Sequence, residues 1–235
     1  MSPTFPVAPA PLALALVCCC TFLANAQPAD PAAAPKEHSR IFGIVPNYRT
    51  TPTLQNYQPL TSKQKFKIGT MDSFDRGTVI LAAAFAGEGQ LTKAQPSFGQ
   101  GAKGYGRYFG TVYADLVIGD FLTESIYPTL LHQDPRYFRR GTGTGWSRLG
   151  YAAGQILWTH SDSGRRQINY SELIGNATAV AISNAYYPDT RTAGNASGKL
   201  SIQLAVDATS NVLKEFWPDI ERKFSRKHPR PAAHP

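Results

Sequence analysis

The segment Tyr170-Ser171-Glu172-Leu173-Ile174-Gly175-Asn176-Ala177-Thr178-Ala179-Val180-Ala181-Ile182-Ser183-Asn184-Ala185-Tyr186-Tyr187-Pro188 decides the fold class. It is rich in small residues and shows no sustained alternation with hairpin turns, which speaks against a strand. It ends on an aromatic residue followed by proline, and proline disfavours helix at the residue before it. Two further segments share this layout. Tyr113-Ala114-Asp115-Leu116-Val117 opens a stretch that runs to Ile126-Tyr127-Pro128, and Leu204-Ala205-Val206-Asp207 lies in one that runs to Phe216-Trp217-Pro218. The first two also share Tyr-small-acid-Leu-aliphatic with a glycine soon after, at Gly119 and Gly175. A repeated helical unit accounts for this, with coincidence as the alternative.

These helices are rich in Gly, Ala and Ser, which lets helix axes approach closely, as in membrane bundles. No stretch is apolar for long enough to span a bilayer, since Asp115, Asp120 and Glu124 interrupt the best one. The expectation is an all-α, compact bundle of about five helices. Thr61-Ser62-Lys63-Gln64-Lys65 reads as a capped helix start, and Asp75 as the cap of a helix from Arg76 to about Gly87. Gln95–Gly106, with four glycines and a proline, reads as a loop.

Outward from this core, the N-terminus carries a short apolar run, Leu12–Leu23, containing the chain's three cysteines, Cys18, Cys19 and Cys20. The run ends at Ala24-Asn25-Ala26, a small-x-small cleavage site, so residues 1–26 read as a signal peptide. Its n-region has no Lys or Arg. The run is too short to span a bilayer, and Leu16-Val17 before Cys18 fits a lipoprotein box poorly. Cleavage leaves about 209 residues without cysteine, hence no disulfide or thiolate chemistry, and a size sufficient for one domain. Residues 27–40 read as a disordered Ala/Pro linker, 41–227 as the helical domain and 228–235 as a disordered basic tail.

The formal charge is +8 and the pI near 9.5. For an exported protein in the periplasm or envelope this attracts anionic envelope components or a partner protein and makes peripheral membrane association possible; nucleic acid is disfavoured as partner by export, despite the charge. No cofactor is expected. The basic candidates are Arg139 and Arg140, which precede the flexible loop Gly141-Thr142-Gly143-Thr144-Gly145, and Arg165 and Arg166 after Asp162-Ser163-Gly164. Backbone amides and arginines in such a loop can bind phosphate or carboxylate. Neither this loop nor Gly99–Gly106 matches a nucleotide fingerprint.

Asp115, Glu172 and Asp207 have apolar sequence neighbourhoods and are expected to converge as a buried acid network, with Arg76, Arg107, Arg136 and Arg148 as candidate partners. On a helical wheel Asp120 and Glu124 share a face, with Asp115 roughly opposite. His132-Gln133-Asp134-Pro135-Arg136 is the densest polar cluster. His132 and Asp134 could serve as base and orienter, or as two metal ligands, in an envelope hydrolase or metal-dependent enzyme that also uses a buried helix acid. No Glu-x-x-His pair of a di-metal bundle and no Gly-x-Ser-x-Gly is present.

Four segments carry a resemblance: Arg40–Tyr48, Leu131–Phe138, Asn184–Pro188 and Asn211–Pro218. Together they resemble a family of exported bacterial proteins of unknown function, which implies no activity. The chain also departs from the PAP2-type lipid phosphatases: Ser147-Arg148 has Gly154 where their catalytic histidine falls.

Overall fold

The computed structural model describes residues 40–51 and 57–227. The signal peptide, the cysteines, most of the linker and the basic tail all fall outside the described residues. The chain is mostly helical with three small sheets. In order it forms β1 (Arg40–Ile41), β2 (Val45–Pro46), β3 (Thr50–Thr51), α1 (Ser62–Ser73), α2 (Arg76–Thr92) and α3 (Gly101–Asp120). A π-helical turn (Phe121–Ile126) then leads into α4 (Tyr127–Leu130), β4 (Gln133–Asp134), β5 (Tyr137–Phe138) and α5 (Gly145–Gly154). The hairpin β6 (Trp158–Ser161) and β7 (Arg166–Ile168) precedes α6 (Tyr170–Ser183) and the long α7 (Ala193–Lys227).

The starts of α1 and α2 follow from their caps. Thr61 and Gln64 form a reciprocal capping box. Asp75 Oδ1 accepts the Gly77 amide at 2.6 Å. The Asp75 carboxylate also accepts from Tyr48 Oη at 2.8 Å and pairs with Arg40, which ties the β1–β2 strap to the head of α2. Gly77 is required there: a Cβ would run into the Ile44 carbonyl.

Three expectations change. The glycines of Gln95–Gly106 do not form a loop throughout, because α3 begins at Gly101. Gly104 packs so closely on Gly99 that a side chain would strike its carbonyl. Neither Pro128 nor Pro218 ends a helix. Pro128 sits in the first turn of α4, beside the π turn whose shifted hydrogen bonding absorbs its missing N–H. Pro218 lies inside α7. Of the three aromatic-proline stops, Tyr186-Tyr187-Pro188 alone follows a helix end, since α6 closes at Ser183.

The sheets were not anticipated, because their strands are two to four residues long and too short for alternation to register. β1 and β2 pair antiparallel, β3 and β5 parallel (Thr50 opposite Tyr137), and β4–β6–β7 antiparallel (Asp134 opposite His160). They hold the strap and the 133–168 region against the helices.

The π turn is the centre of the packing. Gly69 of α1 lies where a Cβ would meet Ser125 Oγ. On the other side a Cβ at Gly175 of α6 would sit 2.8 Å from Thr123 Cγ2 and 3.3 Å from the Leu122 backbone. Two glycines thus let α1 and α6 close on the turn that carries Glu124. An aromatic cluster of Phe98, Tyr108 and Tyr187 with Ala86 closes the far end.

Candidate functional site

Two adjacent residues of α7, Lys214 and Glu215, are both buried and belong to two different charge clusters.

Glu215 is the anion inside the glycine loop. It accepts from Arg148 Nε at 2.7 Å, Tyr137 Oη at 2.8 Å, and the backbone amides of Gly141 at 2.8 Å and Arg140 at 3.0 Å. Its carbonyl accepts from Arg148 Nη2 at 2.7 Å and Arg139 Nε at 2.9 Å. Arg148 also pairs with Asp219 at 2.7 Å. The loop therefore does bind a carboxylate, and that carboxylate is the chain's own. Arg139 turns inward to this node, while the Arg140 side chain stays exposed.

Lys214 faces the second cluster. Arg49 from the strap lies 3.0 Å from Glu124 of the π turn. Asp72 of α1, Asp120 at the end of α3, and Glu172 and Asp207 from α6 and α7 complete it. Asn176 bridges the last two, donating to Glu172 Oε1 at 3.3 Å and Asp207 Oδ2 at 3.0 Å. Ser73 Oγ donates to Asp120 at 3.2 Å. Five carboxyl groups thus face two cations.

Burial pushes Asp72 up, and it drives Glu124 and Asp207 well above the usual carboxylate range, because an ion in this interior lacks hydration. Burial, then the Asp72 charge, pushes Asp120 up to about 7. Burial and the neighbouring Arg49 push Lys214 down to about 8. Among the described residues, Asp72 Oδ1 and Glu124 Oε2 are buried with no donor.

Beside this cluster is a crevice of about 30 Å³, lined by Arg49, Thr123, Ser171, Glu172 and Asn211 among others. It has room for water rather than substrate. No group of three or more His, Cys, Asp or Glu is placed to hold a metal ion among the described residues.

Of the three acids expected to converge, Glu172 and Asp207 meet here and Asp115 does not. Asp115 accepts from Tyr186 at 2.5 Å, Tyr187 at 2.8 Å and Lys199 at 3.0 Å. Of the candidate arginines, Arg148 pairs with Glu215 and Asp219, Arg136 with Asp134, and Arg107 donates to the Phe98 carbonyl; the acid cluster uses Arg49 and Lys214 instead.

His132 and Asp134 diverge. Asp134 is buried and held by Arg136 and by Tyr57 Oη at 2.7 Å. His132 is 84% exposed, has a positive φ of 51°, and approaches Asp162 at 3.8 Å. A base and its orienter must touch, and these two side chains have different partners.

Arg165 and Arg166 are both exposed. The Arg166 guanidinium lies over the Trp158 ring at 4.6 Å, and Arg140 over Tyr151 at 5.8 Å. Burial, then the Glu215 charge, pushes the half-buried Tyr151 phenol up, and the charges of Arg140 and Arg166 act against this. Trp146, Leu157, Trp158, Ile168 and Tyr170 are exposed along the same elements.

Sequence reasoning passed over Arg49, Asp72, Lys214 and Glu215. Lys214 and Glu215 gave a usable signal: two charges inside the apolar run Val212-Leu213 to Phe216-Trp217 mark a buried pair. Arg49 gave none, since it lies in an extended strap without periodicity.

Neither a protein-family model, nor a curated protein, nor a solved structure matches the chain.

Proposed function

We propose that this is an exported, non-enzymatic helical protein of the cell envelope that binds anionic lipid headgroups through its basic edge. In this reading residues 1–26 are removed on export and the helical bundle begins beyond the linker. The observation that carries it is an exposed cation over an exposed aromatic ring, Arg166 over Trp158, with exposed Arg140 over the half-buried ring of Tyr151. Cations beside Trp and Tyr suit the headgroup level of a membrane, where the ring has one apolar and one wet side. Arg139 has no part in it, being committed to Glu215 and Asp219.

The test is co-sedimentation of the full chain with vesicles containing about one quarter phosphatidylglycerol, against phosphatidylcholine alone. Each arginine near an anionic surface contributes about 1 kcal/mol. Arg140→Glu, Arg165→Glu and Arg166→Glu combined should lower affinity at low salt by at least about 100-fold. Unchanged binding of the triple variant sinks this reading.

A further inference from the structure

Several helices of the described residues turn large apolar side chains outward while the interior holds many polar ones. Among the described residues 22 large hydrophobic residues are exposed, 14 hydrophobic residues are buried, and 21 polar or charged residues are buried. A water-soluble bundle has the opposite bias.

Helix α6 shows it most clearly. Its inward face carries Ser171, Glu172, Asn176 and Ser183 beside Gly175, Ala179 and Val180, all buried. Its outward face carries Tyr170, Ile174, Ala177, Ala181 and Ile182, all exposed, without one charge. On α2, Val79, Ile80, Phe85 and Leu91 face outward, and on α7 Ile202 and Val206 do, while Asp207 faces the acid cluster.

We infer that these outward faces are seated in the acyl region of one leaflet, so that the protein is embedded in the membrane surface. This rests on the headgroup reading above and adds the apolar contact to it. No helix of the described residues is long and apolar enough to cross a membrane, so the embedding is lateral. Charge complementarity favours lipid as the occupant. Exposed Lys63, Lys67 and Arg76 accompany exposed Phe66, Met71 and Phe74, and Arg165 and Arg166 accompany Trp158, Ile168 and Tyr170. Cations alternating with aromatic and aliphatic residues are the composition of a segment that meets phosphate and acyl chain together. The apolar face of α6 begins at Tyr170, directly after the basic edge on β7, so the two surfaces are continuous in the chain.

The experiment loads the full chain onto phosphatidylethanolamine–phosphatidylglycerol vesicles, washes with 1 M NaCl, then extracts with detergent. Tryptophan fluorescence is read in parallel with lipids brominated on the acyl chain. The expected result is retention through the salt wash, release by detergent, and quenching by bromine. Ile174→Asp with Ile182→Asp, which alters exposed positions only, should convert retention into release by salt, with an unchanged circular dichroism spectrum. If wild type binds but leaves in salt and is not quenched, embedding is refuted and the headgroup reading stands. If it never binds vesicles, both are refuted. If light scattering shows a lipid-free dimer that the α6 double variant dissociates, the outward face belongs to a second copy and the inference is overturned.

Discussion

Lys214 and Glu215 are neighbours on one helix, both buried, and they sit in opposite electrostatic situations. Around Glu215 every lone pair has a donor: a guanidinium, a phenol and two backbone amides. Around Lys214, five carboxyl groups share two cations, and two carboxylate oxygens lack a donor. The first cluster is a finished ion pair that fixes α5, the glycine loop and α7 against one another. The second is short of positive charge and must hold protons to be stable. Burial alone therefore does not tell what a charge does; the donor count does.

The comparison breaks most visibly at Arg148. Arg148→Met removes the guanidinium that contacts Glu215, its carbonyl and Asp219. The expected loss is about 3–5 kcal/mol in urea unfolding, the cost of leaving a buried charge short of its partner. Adding Glu215→Leu should recover only part of this, because the Arg140 and Gly141 amides then lose their acceptor. Full recovery would show that the loop amides contribute nothing.

The Lys214 side is tested by pH. The Asp120 pKa is raised in the folded protein to about 7. Between its ordinary value and 7 the folded state binds more protons than the unfolded one. Its contribution is thus fully present below about pH 4 and is lost as pH rises through 7. Asp72, Glu124 and Asp207 are shifted the same way, and Arg49 and Lys214 are the cations facing them. Asp75, held down to about 2 chiefly by Arg40, acts oppositely and matters only in strong acid. Asp120→Asn should therefore raise stability at pH 8 by a few kcal/mol, on a scale of about 1.4 kcal/mol for each tenfold change in proton affinity, and flatten the profile of melting temperature from pH 5 to 8. A wild-type profile that is flat over this range would overturn the protonated-cluster description.

How much of this was legible beforehand depended on range. Thr61 and Asp75 announced α1 and α2, because a cap is a local hydrogen bond between residues two or three apart. The shared face of Asp120 and Glu124 was readable from helical period, and both do face Asp72 and Arg49. Pro128 and Pro218 misled, because a π turn and a long packed helix absorb a missing N–H that a short isolated helix cannot. The glycine loop's chemistry was readable as anion binding, but its anion was not: Glu215 lies more than 70 residues away. The inversion of polarity across α6 was equally hidden, since a helix with one polar and one apolar face reads the same whichever side turns inward.

The smallest effect belongs to His132, the residue a catalytic reading would choose first. Its side chain is 84% exposed, its one ionic neighbour among the described residues is Asp162 at 3.8 Å, and Asp162 is already paired with buried Lys65 at 2.7 Å. Exposed pairs of this kind contribute little, because solvent screens the charge and the side chain is free to leave. The positive φ at this position belongs to the backbone turn before β4. It disfavours alanine slightly but removes no contact. His132→Ala should therefore change stability by no more than about 0.5 kcal/mol and leave vesicle binding as in the wild type, while Lys65→Met, which strips Asp162 of its buried partner, should lower the melting temperature measurably. If His132→Ala were the more damaging of the two, exposure and donor count would have failed as guides, and the His132 loop would have to be treated as a site in its own right.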